Sequence, residues 1–211
     1  MQMNMNMNRN ICDINDLALE LVALDFSDDR SPNNGGPTKT SRALAIIHLA
    51  AHDAYAQVTN MLKPKLGSLP PPPLSLAKDD ATGTVAMLSA GLMAAERLYP
   101  DFAEFIAKKA AEWKVNTNPD AVWYGRQVAS AWISFRSNDK SNVPQLDNLY
   151  SEAPGKHRPD PGDPKQSTLG RNWGQVTPFV ISSVPTDAPL CAPPDLASQG
   201  YATAFDQVAI C

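Results

Sequence analysis

The chain has few of the residues that most often announce a chemistry. Histidine occurs three times in 211 residues, at His48, His52 and His157, so any imidazole chemistry must pass through those positions. Cysteine also occurs three times, at Cys12, Cys191 and Cys211. The count is odd, the spacings are long and no CxxC pair exists, which argues against a disulfide framework or a zinc knuckle and favours a reducing, cytoplasmic compartment. Basic residues number 18 against 22 acidic, leaving no basic stripe to neutralise a phosphate backbone, so nucleic acid is not an expected partner. Long apolar runs are missing as well. The longest, Ala43 to Tyr55, is interrupted by two histidines and an aspartate and falls short of the roughly 20 apolar residues that cross a bilayer, so no membrane span is expected. The start, MQMNMNMNRN, alternates Met with polar residues and has neither the apolar core nor the small-residue cleavage site of a secretory signal; residues 1–12 are expected to form a disordered tail.

What is present is enough apolar sequence for one domain with a core, alone or with a loose appendage. The first two thirds reads as helices. Ile14 to Leu24 is apolar-periodic, NNGGPTKTS breaks the chain, and a helix from about Thr38 to Asn60 follows, with Thr38 or Thr40 as its N-cap. Four consecutive prolines in KPKLGSLPPPPLSL cannot continue a helix, so residues 63–77 read as a linker between helical units. Ala81 to Leu98, Asp101 to Lys114 and Pro119 to Arg136 are three further helices, with Val122, Trp123, Val128, Ala129, Trp132 and Phe135 as the apolar side of the last. Trp113, Trp123 and Trp132 are assigned to helix packing. From residue 137 to 211 the chain is crowded with Pro, Gly, Asp and Ser, and only Tyr201 to Ile210 looks helical again. The expected architecture is therefore all-α: a packed helical bundle over residues 13–136, then a long Pro-rich irregular segment over 137–211 that wraps a surface and ends in a short helix.

The segment with the most chemistry in it is HLAAHDAY, His48 to Tyr55. Histidines at i and i+4 share one helix face, the spacing that lets two imidazoles bind one zinc. A metalloprotease helix would carry a glutamate after the first histidine, where this chain has Leu49, and a catalytic zinc needs a third ligand that spacing assigns to neither His157 nor Asp53. The plainer reading is a buried central helix whose histidines and aspartate are hydrogen-bonded inside. Arg42, His48, His52 and Asp53 remain the candidates for a self-contained oxyanion or metal hydrolase. A third reading is a noncatalytic helical interaction protein.

Ser41, Arg42 and His48 form S-R-x5-H, which resembles the last signature of the vanadium haloperoxidase and acid phosphatase (PAP2) superfamily. There the arginine grips an oxyanion and the histidine bonds it apically. That signature follows K-x6-R-P and P-S-G-H segments in the superfamily, whereas almost no chain precedes Ser41 here and no Gly-His dipeptide occurs. A broader resemblance lies in order. GPTKTSRALAIIHLAAHDAYAQV, PDFAEFIAKK, YGRQVASAWISFRSND, APGKHRPDPG, NWGQVTPFVI and GYATAFDQVAI succeed one another as in the amino-terminal half of vanadium-dependent haloperoxidase-like proteins, from about Ile14 onward.

The resemblance implies an all-α fold and, for the complete protein, peroxide-dependent oxidation of a halide at a vanadate centre, or a related phosphatase. It also implies that this chain is the amino-terminal helical scaffold portion. Lys156 and Arg158 in GKHRP have the wrong separation for the Lys and Arg-Pro element and no P-S-G-H follows, so no catalytic, cofactor-binding or metal residue is assigned and vanadate belongs to the complete protein. The expected partner is the missing catalytic half, or a second chain supplying it, with a homo-oligomer as a further possibility. Trp173 and Phe179 in NWGQVTPFVI are then anchors for that half, or else an aromatic pair tucked onto their own helices.

Overall fold

The computed structural model describes residues 4–27, 31–144, 153, 158–165, 170–181 and 194–210. Six α-helices succeed one another among the described residues: α1 (Asn4–Asp25), α2 (Pro37–Thr59), α3 (Asp80–Leu98), α4 (Ala103–Glu112), α5 (Pro119–Arg136) and α6 (Gln199–Ala209). There is no strand among the described residues. The chain divides into two compact units, Met1–Thr177, which holds α1 to α5, and Pro178–Cys211, which holds α6.

In the first unit α2, α3 and α5 pack against one another as a three-helix core, α1 lies on α2 and α3, and α4 lies on α3. Small residues let these helices approach closely. Ala43, Ala50, Ala54, Ala86, Ala90, Ala94, Ala121 and Ala129 are all fully buried. At Gly125 a β-carbon would collide with the backbone carbonyl oxygen of Ala86, so α5 crosses α3 where only glycine fits. Ile14, Leu17, Leu21, Ile46, Ile47, Val58, Val128 and Trp132 supply the bulk of the core.

Local chemistry explains the helix ends. Asp79 caps α3 by accepting from the Thr82 N–H at 2.7 Å, and Asn118 caps α5 by accepting from the Ala121 N–H at 3.1 Å. The α2 start departs from expectation. Its N-cap is Gly36, at φ 83°, with no side-chain cap; Pro37 takes the first turn, where its missing N–H costs nothing. Thr38 and Thr40 both lie inside the helix, and the Thr40 hydroxyl donates to the Asn34 carbonyl instead. Asn60, in the left-handed region, ends α2.

Three further expectations change. Residues 4–12, expected in a disordered tail, are helical as the first half of α1; once Ile14, Leu17 and Leu21 are packed, each residue added upstream adds a hydrogen bond without a new nucleation step. The single helix expected from Asp101 to Lys114 is a 3-10 turn at Pro100–Phe102 followed by α4. Trp123 is 53% exposed and Phe135 52%, because the packed stripe of α5 runs through Ala121, Tyr124, Val128 and Trp132 instead. Much of the expected wrapping segment, 137–211, lies outside the described residues. Arg136 donates to the Thr177 carbonyl at 2.6 Å and the Thr177 N–H to the Asp139 carbonyl at 3.0 Å, which holds Thr177 at the end of α5.

The Pro-rich linker is pinned to the body rather than loose. Leu66 and Leu76 are buried, and the Tyr124 hydroxyl donates to the Pro70 carbonyl at 2.9 Å. No helix among the described residues is long and apolar enough to cross a membrane.

Candidate functional site

Alpha-2 carries the sequence candidates, and helix geometry separates them before any contact is considered. Arg42 and His48 are six residues apart, about 600° of rotation, so they leave the axis roughly 120° apart. They serve different neighbours accordingly. Arg42 reaches the end of α5: its Nε donates to Asp139 Oδ2 at 2.7 Å and a terminal nitrogen to the Arg136 carbonyl at 2.8 Å. Arg136 approaches the same Asp139 oxygen at 2.8 Å, so one carboxylate is shared by two guanidinium groups. All three groups are sequestered, with side-chain exposures of 14% for Arg42, 1% for Arg136 and 2% for Asp139. Burial alone would raise the Asp139 carboxyl; the hydrogen bonds from Arg42 and Ser141, together with the Arg42 charge, outweigh it and hold the group below the usual carboxylate range. Burial pulls the Arg136 guanidinium down against the attraction of Asp139.

Asp53, expected as a possible ligand, is a structural hub. Its carboxylate is fully buried. Oδ1 accepts from the Lys65 N–H at 2.7 Å and lies 2.8 Å from His52 Nδ1, while Oδ2 accepts from the Leu66 N–H at 2.9 Å and the Trp132 indole N–H at 3.0 Å. Four donors therefore converge on one side chain, joining α2 to α5 and to the linker. This is the plainer reading of HLAAHDAY realised for the aspartate.

The two histidines sit together. His48 Nδ1 lies 2.8 Å from the Leu44 carbonyl, one turn back along its own helix, and His52 Nδ1 holds to Asp53. Both rings flank one cavity of about 250 Å3, walled mainly by carbon from Ile11, Ile14, Leu62 and Met87. The Tyr55 hydroxyl at the same cavity donates to Asp80 at 2.6 Å, and burial and that partner push it up to about 12. His157 and Lys156 lie outside the described residues; Arg158 is exposed.

Sequence reasoning missed two further buried carboxylates. Asp139, in the turn after α5, could have been suspected from its i+3 spacing to Arg136. Asp25, at the end of α1, accepts from the N–H and amide of Asn33, both at 2.8 Å, and from the Asn34 N–H at 2.9 Å. Nothing local to Asp25 announces that role. Of the two aromatic anchors, Trp173 lines a cavity of about 220 Å3 with Thr38, Lys39 and Val143 of its own helical unit; Phe179 belongs to the second unit.

A vanadate oxyanion on α2 would need the Arg42 fork available and an imidazole turned toward it. Arg42 already serves Asp139 and the Arg136 carbonyl, and His48 faces a different side of the helix, so these residues do not fit the group.

No protein-family model and no curated protein matches the chain. Its fold does have a counterpart, the crystal structure of the first bacterial vanadium-dependent iodoperoxidase, with a TM-score of 0.65 at 20% sequence identity. The match covers 97% of this chain and 50% of that one, so the chain spans half the length of the structure it resembles. The likeness to vanadium haloperoxidases read from the order of the sequence segments thus extends to the fold, and the chain is an all-α helical body that corresponds to half of such a peroxidase.

Proposed function

We propose that the chain is the amino-terminal helical scaffold portion of a vanadium haloperoxidase-like protein. The complete protein would oxidise a halide with peroxide at a vanadate centre, and that centre would lie in the half with no counterpart here. The observation that carries this reading is the fold match, which takes in nearly the whole chain but half of the peroxidase. It is supported by the fate of the arginine and aspartate on α2. Arg42 and Asp53 hold helices and linker together, and their bonding capacity is committed within the body. The partner in this reading is the catalytic half, continuous with this chain or supplied by another.

The test is a thermal melt of the 211-residue chain with and without orthovanadate, paired with an iodide-oxidation assay. A ligand that binds only the folded state at a hundred times its dissociation constant adds about 2.7 kcal/mol, a readily visible shift. The expected result is no shift and no turnover for this chain, and vanadate-dependent iodide oxidation once a polypeptide bearing the K-x6-R-P and P-S-G-H segments is supplied in cis or in trans. A vanadate shift that disappears in Arg42→Ala or His48→Ala would overturn the scaffold reading. So would absence of oxidation with those segments present.

A further inference from the structure

His48 and His52 are one helical turn apart, so their rings leave α2 on the same side, and both flank the same carbon-walled cavity. What the structure adds is the state of each ring. The Leu44 carbonyl can only accept, so the neutral His48 ring keeps its proton on Nδ1 and presents a lone pair at Nε2. The carboxylate of Asp53 does the same for His52. Asp53 cannot turn away, because Lys65, Leu66 and Trp132 hold its two oxygens. Neither Nε2 has a hydrogen-bond partner among the described residues. Two imidazoles on adjacent turns, one oriented by a backbone carbonyl and the other by a locked carboxylate, each with Nε2 unengaged, form the arrangement in which histidines ligate metals.

We propose that His48 and His52 bind one divalent transition-metal ion through their Nε2 atoms, with water completing its coordination shell. Imidazole nitrogen suits ions of borderline softness, such as nickel, copper and zinc, over calcium or magnesium, which take oxygen. Among the described residues no three histidine, cysteine or acidic side chains come together as a ligand set. The ion therefore has two protein ligands and stays exchangeable, unlike a closed structural zinc site. The side chain of His52 is 31% exposed, which gives the ion a way in. Binding clamps two successive turns of α2 beside α1, and it does not depend on the haloperoxidase reading.

Nickel chloride is the probe. The full chain is titrated by calorimetry while NMR follows the ring signals of its three histidines, which the paramagnetic ion broadens. One ion per chain is expected, broadening His48 and His52 and sparing His157. Loss of an outer-shell partner typically weakens a metal site by about 10- to 100-fold, so His48→Ala or His52→Ala should each lower affinity by at least about tenfold, with unchanged helical circular dichroism. His157→Ala should keep the affinity. The proposal falls if millimolar nickel neither releases heat nor broadens the two rings. It also falls if the double variant binds as tightly as the parent, which would place the ion on a thiol such as the exposed Cys12, or if binding requires His157.

Discussion

Asp53 and Asp139 are both buried carboxylates of the first unit, and they are satisfied by opposite means. Asp53 gathers two backbone N–H groups, an indole and an imidazole. Asp139 gathers two guanidinium groups and the Ser141 N–H. The first arrangement fastens a loop and a neighbouring helix to the middle of α2, using donors that carry little charge. The second fastens the start of α2 to the end of α5, using charge against charge, where the cost of burying the ions is high and geometry must repay it. Acidic and basic residues that suggest a ligand site in the sequence can thus be absorbed by either kind of framework.

That contrast can be broken most sharply at Asp53. Asp53→Ala removes the acceptor from two backbone N–H groups and the Trp132 indole together, and an expected loss of about 3 to 5 kcal/mol should appear in urea unfolding. An unchanged urea midpoint would show that water replaces the carboxylate and that the linker is not held by it.

Asp139→Asn should cost somewhat less, about 2 to 4 kcal/mol, because Arg136 keeps the Thr177 carbonyl and Arg42 the Arg136 carbonyl. It should also change the response to acid. The folded state holds the Asp139 carboxyl below its ordinary value, so the group contributes stability above the unfolded pKa of about 4 and loses it as pH falls through the lower folded value. Stability measured from pH 6 down to pH 2 should fall more steeply in the parent than in Asp139→Asn. Parallel curves would assign the acid sensitivity to other carboxylates.

The smallest effect is expected beside the third buried carboxylate. Asp25 is filled by Asn33 and Asn34, and the nearby Tyr99 hydroxyl is buried with no hydrogen-bond partner among the described residues. Burial and the Asp25 charge push that hydroxyl up to about 12. Its contribution is present below the unfolded value of about 10 and is lost as pH rises through the folded one. Tyr99→Phe removes an unsatisfied group, so stability at neutral pH should hold or rise by about 1 kcal/mol, and the alkaline loss should shrink. A clear drop at neutral pH would reveal a partner for the hydroxyl.

Much of the fold was legible locally. The bounds of α5 were readable because Pro119 suits a first turn and the apolar period runs to Arg136. The break after α2 was legible because four prolines cannot continue a helix. The exposure of Trp123 was not legible. Trp123 and Trp132 look alike on an amphipathic α5, and only the packing of α2 and α3 against α5 decides that Trp132 is 1% exposed and Trp123 53%. The candidate site was legible as a cluster of residue types and illegible as a set of bonds: HLAAHDAY shows two histidines on one face but not that Nδ1 of each is engaged.

The sequence by itself determined an all-α chain and the approximate span of its helices, because helical period, proline and turn chemistry act over a turn or two of chain; the likeness to haloperoxidases came from the resemblance of its segments in order. Only the tertiary structure decided what the polar residues of α2 do. The indole that completes Asp53 comes from 79 residues away, and the carboxylate that holds Arg42 from 97. A buried polar group must find its partner wherever packing brings one, and that partner is set by helix crossings rather than by neighbours in sequence.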